Sequence, residues 1–179
     1  MTPEERVMLW VDEAIIGLDL CPFARSVRGQ MRVAMRPESD LDAAIEATLA
    51  EVRTLLDDPT NATSLVVFEA GLQAFESFLD VVDVVADALE QSGADSYVQL
   101  ATFHPAYQFE GTAPGDLSNH TNRAPYPIIH LLRTDAVGDA VDKHPDTLAI
   151  PEANMARLAA LGTDEVAKRW ARFMPDAPA

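Results

Sequence analysis

Apolar residues recur at helical spacing from the start of the chain: Val7, Trp10, Val11, Ala14, Ile15 and Leu18 fall on one face. Thr2-Pro3-Glu4-Glu5 supplies the start signals, with Thr2 as N-cap, Pro3 in the first turn and Glu5 three residues after the cap. Pro22 disfavours helix at Cys21, so this helix should end near Leu20. The period then changes to two. Met31, Val33 and Met35 alternate with Arg32, Ala34 and Arg36, the pattern of a half-exposed strand. Ser39 or Asp40 can cap a second helix with the stripe Leu41, Ile45, Thr48, Val52 and Leu55, stopped by Asp57-Asp58-Pro59. Leu65-Val66-Val67-Phe68 is unbroken and apolar, as in a strand covered on both faces. A third stripe runs from Phe75 to Leu89 and closes at Gly93. Tyr97 to Phe103 and Ile128 to Leu132 predict two more strands. Two or three short helices finish the chain; Gly138 weakens the first, His144 before Pro145 reads as a helix stop, Pro151 opens the second and Gly162 closes it.

A helix followed by β-α-β-α-β predicts an α/β fold. The expectation is one domain over residues 1–179, with a mostly parallel sheet of about four strands flanked by helices. The pattern fails in one place. From His104 to Pro127 there is no periodicity, although loops beyond about 12–15 residues are uncommon in compact domains unless functional or disordered. Tyr107, Phe109 and Tyr126 argue against disorder, so an ordered, site-forming loop is expected at 104–127.

Composition narrows the function classes. The formal net charge is -16. Such a surface repels nucleic acid and anionic lipid, so neither is an expected partner. No apolar run is long enough to span a bilayer, and MTPEERVMLW lacks the features of a secretory leader. Cys21 is the one cysteine, which rules out an internal disulfide and points to a reducing, cytoplasmic setting. Oligomeric state is left open.

Candidate chemistry collects in two places. Between Leu20 and Pro37 stand Arg25, Arg28, Arg32 and Arg36 without a single acid, and Cys21 leads this basic island. Guanidinium groups favour a thiolate and can hold a carboxylate or phosphate. Arg32 and Arg36 should instead point out of their strand toward acidic helices, leaving Arg25 and Arg28 as the better anion ligands. Cys21 could equally be a small buried hydrophobe. Cys-Pro also occurs in thiolate haem ligation, so a haem or single metal on Cys21 is an alternative.

The second place is the irregular segment. If the strand before it is parallel to its neighbours, His104 lies at a carboxyl end, where open α/β sheets bind ligands. His104 is then a candidate acid/base and Tyr107 a proton or hydrogen-bond donor, with a strand-closing structural role as the competing reading. Asn119, Asn122, Arg123 and Tyr126 are candidate substrate ligands, against a scaffolding role within the loop. His120 reads as exposed, and His130 as a satisfied core histidine or a residue facing the loop. Phosphate-binding loops, nucleophile elbows and paired-cysteine metal motifs are absent from the sequence.

Three stretches together resemble a family of bacterial proteins of unknown function. They are Leu20-Cys21-Pro22-Phe23-Ala24, then Phe103-His104-Pro105 with Tyr107, Phe109 and Gly111, then Asn119 with Thr121-Asn122-Arg123-Ala124-Pro125-Tyr126-Pro127 and His130-Leu131-Leu132-Arg133. Ala124 stands where that pattern carries serine, so the resemblance implies no catalytic hydroxyl there. It implies a stand-alone cytoplasmic domain and brings no reaction. The residues themselves suggest an enzyme on a small polar or anionic metabolite, with Cys21 as nucleophile, His104 as acid/base, and Arg25, Arg28 and Arg123 orienting the substrate. The alternatives are a haem or metal protein and a non-catalytic binding module.

Overall fold

The computed structural model describes residues 1–143 and 149–175, so His144 lies outside the described residues. Four strands, β1 (Met31–Arg36), β2 (Thr63–Phe68), β3 (Val98–Phe103) and β4 (Ile128–Arg133), form one sheet in the order β1-β2-β4-β3. β1 and β2 are parallel, while β4 runs antiparallel to both its neighbours. The sheet is therefore mixed, which corrects the mostly parallel expectation. The reason lies in the connection between β3 and β4. Parallel neighbours need a crossover that returns the chain to its starting end, usually a helix. The segment after β3 instead stays at that strand's carboxyl end and re-enters beside it. β3 nonetheless points the same way as β1 and β2, because β4 reverses direction between them.

The register makes the sheet two-sided. Met35, Val67, Ile128 and Phe103 form one row, Val33, Leu65, His130 and Ala101 the next, and Met31, Thr63, Leu132 and Gln99 the third. All three rows share one face, because side chains two residues apart point the same way. Helices from both ends of the chain cover that face: α1 (Pro3–Trp10), α6 (Ile150–Leu161) and α7 (Thr163–Trp170) bring Val7, Trp10, Leu158, Val166 and Trp170 into its core. The opposite face, with Val66, Ile129 and Leu131, packs on α3 (Leu41–Asp57) and α4 (Phe75–Ser92). β2 is buried at every position, as its unbroken apolar run predicts.

Local signals hold in several places. Thr2 and Glu5 form the reciprocal capping box of α1. Asp40 caps α3 through the Ala43 amide, and Gly93 ends α4 at φ 74°. Two differ. The N-terminal helix does not continue regularly to Leu20: it widens into a π turn over Val11–Ile16, and Asp19 then takes a left-handed φ of 52°. On α3 the buried stripe passes through Thr48, Glu51, Val52 and Leu55, while Leu41 is exposed. Glu51 can be buried because Arg32 Nε and Arg36 Nη2 reach it from β1 at 2.8 and 3.1 Å.

Candidate functional site

A cavity of about 570 Å³ lies between the sheet and the helices of the first face. Its floor is Met31, Thr63, Leu65, Phe103, His130 and Leu132, all from the three rows above. One wall is the N-terminal segment: Trp10, Val11 and Ile15, then Leu20 and Cys21, then Ala24 and Val27 of the short α2 (Ala24–Val27). The irregular loop contributes Phe109, Thr112, Ser118, Thr121 and Asn122. Pro151, Asn154 and Met155 of α6, with Ala136 and Val137 of α5 (Thr134–Lys143), complete the lining. Most of these residues are apolar. The cavity reaches from Phe103 at the carboxyl end of β3 to Met31 and Thr63 at the amino ends of β1 and β2. It thus lies across the sheet face rather than outside the carboxyl ends.

The π turn shapes this wall. Leu20 N–H and Cys21 N–H both reach back to the Ile15 carbonyl, at 2.9 and 3.4 Å, so the helix end folds Cys21 under itself. α6 holds the same turn from outside, with Asn154 Nδ2 donating to the Leu20 carbonyl at 2.7 Å. Burial pushes the Cys21 thiol pKa up, against the lowering effect of the Phe23 and Ala24 amides. Burial in this apolar wall favours the neutral thiol over the thiolate, which runs against the activated-thiolate expectation. No guanidinium shifts it downward.

His130 lies on the floor. Thr63 Oγ1 is 2.7 Å from the Leu131 carbonyl and 2.6 Å from His130 Nε2. A carbonyl only accepts, so the threonine proton goes to Leu131 and the imidazole must donate through Nε2–H. Burial lowers the His130 pKa to about 4, which keeps the ring neutral.

His104 is elsewhere. It follows Phe103 and so turns to the opposite face, where it is fully buried between Phe75 and Phe78 of α4, with ring centroids at 5.1 and 5.2 Å. Its Nδ1 accepts from the Ala106 amide at 3.0 Å, so Nε2–H donates to the Leu72 carbonyl at 2.9 Å. Both ring nitrogens are committed, and burial lowers the pKa. Leu72 belongs to the loop after β2, where a Cβ on Gly71 would overlap the backbone of Ser39. His104 thus pins three chain segments at one sheet edge. The sheet separates it from Cys21, and the proposed Cys21–His104 pair does not form.

Other sequence candidates are spent on scaffolding. Asn119, fully buried, accepts from the Phe109 amide and the Thr112 hydroxyl at 3.0 and 2.9 Å and donates to the Ala113 carbonyl at 2.9 Å. Asn122 Nδ2 donates to the Thr102 carbonyl at 3.0 Å. Arg123 Nε and Nη2 bind the Tyr107 and Pro114 carbonyls at 3.2 and 2.7 Å. The Arg123 carbonyl in turn accepts the indole N–H of both Trp10 and Trp170, each at 3.1 Å. The Tyr107 ring packs on Phe75 and Phe109, and half-buried Tyr126 joins the core of the first face. His120 is half-buried edge-on against Trp170 at 5.1 Å, not exposed. Arg28 is paired with Asp12 at 2.6 Å. Arg25 is exposed, does not line the cavity and makes no hydrogen bond or ion pair among the described residues.

Of the sequence-derived candidates, Cys21, Asn122 and His130 share the cavity. Thr63, Ser118, Thr121, Arg133 and Asn154 are polar lining residues that the pattern did not single out. Thr63 carried one signal, a polar residue beside the most apolar strand.

Among the described residues no group of three or more His, Cys, Asp or Glu is placed to hold a metal ion, and no helix is long and apolar enough to cross a membrane. No curated protein and no solved structure matches the chain. A family model described as "Protein of unknown function (DUF1415)" matches residues 2–168, nearly the whole chain, and the chain belongs to that family.

Proposed function

We propose that the chain binds a small, mainly apolar organic molecule in the cavity between the sheet and the N-terminal helix. The observation that carries this reading is the cavity itself. A volume of about 570 Å³ is within the range of small-molecule sites. The wall is also built irregularly, by a π turn over Val11–Ile16 and a left-handed Asp19. π turns are rare and occur often at functional sites. The earlier expectation of a polar or anionic metabolite depended on free arginines. Arg28 and Arg123 are committed to other partners, and Arg25 lies outside the cavity. This reading is of binding; a Cys21–His104 catalytic pair is no part of it.

The test uses the neutral fluorophore N-phenyl-1-naphthylamine and the single cysteine. Saturable fluorescence enhancement is expected, together with slower alkylation of Cys21 by N-ethylmaleimide when the probe is bound. Val27→Trp, which fills the cavity from α2, should weaken both effects at least tenfold. Absence of saturable binding, or Cys21 alkylated equally fast with the probe bound, would refute the reading.

A further inference from the structure

The polar groups of the cavity define its ligand more closely, on the assumption that the cavity is the binding site. Among the described residues Arg133 is the one charged side chain in the lining. Its Nε donates to the Asn61 carbonyl at 3.1 Å, and its Nη2 to the carbonyls of Asp58, at 2.9 Å, and Leu55. Nε and Nη2 are thereby turned to the segment between α3 and β2, while the group keeps its charge. Among the described residues no carboxylate lines the cavity. A cation would leave water without a counter-charge, a cost of several kcal/mol or more, and an anion would meet only a guanidinium whose Nε and Nη2 are already turned to backbone carbonyls.

The neutral polar groups are mostly committed as well. Asn122 and Asn154 donate to backbone carbonyls, and the Thr112 and Thr121 hydroxyls find partners within the loop. His130 is different. Its Nε2–H goes to Thr63, whose own proton goes to Leu131, so the ring is fixed in one tautomer. Nδ1 then carries a bare lone pair and makes no hydrogen bond among the described residues, on a ring that lines the cavity. Such an atom can only accept. The Ser118 hydroxyl on the loop wall is committed too, to the Asp116 carboxylate.

We propose that the ligand is an uncharged, largely apolar molecule carrying a hydroxyl or N–H group, which donates a hydrogen bond to His130 Nδ1. Thr63 is the positioning residue that holds the imidazole as an acceptor. The chemical class is that of phenols, apolar alcohols and neutral aromatic N–H compounds, and it excludes carboxylates and phosphates.

Three naphthalenes of similar size separate the possibilities: 1-naphthol has a donor, 1-methoxynaphthalene has none, and 1-naphthoate is an anion. At pH 7.5 the full chain should bind 1-naphthol about fivefold to tenfold more tightly than 1-methoxynaphthalene, the worth of one hydrogen bond. 1-Naphthoate should bind most weakly. In His130→Phe the preference for naphthol should vanish while 1-methoxynaphthalene still binds. Nitrogen-15 NMR of the wild-type chain gives a readout that needs no substitution. The Nδ1 resonance of His130 should move on adding 1-naphthol and stay in place with 1-methoxynaphthalene. Tightest binding of 1-naphthoate overturns the inference, as does a naphthol preference that survives His130→Phe, or an unmoved Nδ1 resonance. If N-phenyl-1-naphthylamine binds in the cavity but the three naphthalenes are not distinguished, this inference fails alone. If neither that probe nor any of the three binds, the cavity reading fails with it.

Discussion

Two histidines, one on each face of the sheet, show how burial and partners divide similar residues. His104 has both ring nitrogens tied to backbone, to Leu72 and Ala106, so it holds chain segments together and has no lone pair to offer. His130 has one nitrogen tied and lines the cavity. Both resist protonation, and this has a measurable consequence. His130 has a native pKa of about 4, against about 6.5 in the unfolded chain. Between those values the unfolded chain binds more protons, so stability falls as pH falls. His130's contribution is complete above about pH 6.5 and is lost progressively toward pH 4. The size of the effect is at most about 3 kcal/mol. His104 and His120 are shifted in the same direction and add to the slope. Urea unfolding at a series of pH values should therefore show a decline from about pH 6.5 that is shallower in His130→Gln. An identical slope in that variant would contradict the assignment. The sequence made both histidines visible but not their sides. Alternation does put Phe103 and His104 on opposite faces. What it omits is which face the N-terminal helix covers, and hence which face Cys21 shares.

At the scale of elements, the irregular segment is where composition misled. Its asparagines and arginine read as ligands for a substrate because they were polar, clustered and away from regular structure. A long segment without a ladder leaves its own N–H and C=O groups in need of partners. Asn119, Asn122 and Arg123 supply them, and a short 3₁₀ turn at Leu117–Thr121 supplies more. The strands and long helices were legible because burial imposes periods of 2 and 3.6. The direction of β4 was not, since it depends on where a non-periodic segment re-enters the sheet. The scaffolding role predicts a structural phenotype. Asn119→Ala removes three hydrogen bonds at a fully buried position. The Phe109 amide and Ala113 carbonyl lose their partner, for an expected destabilisation of about 2–4 kcal/mol. Limited proteolysis should then cut first between residues 105 and 118. A loss below about 0.5 kcal/mol, the level of an ordinary surface change, would show that the loop is held by something else.

At the scale of the molecule, charge and cavity belong to one account. With 29 acidic and 13 basic residues the chain carries a net -16, and the long helices α3 and α4 turn much of that acid outward. An anion approaching the cavity meets this field before it meets the walls, which agrees with a neutral ligand. The same charge acts on the fold. Among the described residues six ion pairs join arginines to carboxylates; in four of them both partners are at least partly exposed to water, and two meet on the buried Glu51. Exposed pairs contribute at most about 1 kcal/mol each, and the two on Glu51 offset the cost of burying its charge. Repulsion among the excess acids grows with the square of the net charge, so it should outweigh them. Range decides when it acts. The screening length is about 30 Å at 0.01 M salt and about 8 Å at 0.15 M, whereas a chain of this size has a radius of gyration of roughly 16 Å. At low salt every carboxylate therefore repels every other across the molecule, and at moderate salt only near neighbours do. Sodium chloride raised from 0.01 to 0.15 M should increase the melting temperature by several degrees, measured by calorimetry at pH 7.5 without ligand. The increase should flatten above that range, where only local pairs remain to be screened. A melting temperature that falls over the same interval would mean that the arginine bridges, led by the two on Glu51, govern the electrostatics of the fold.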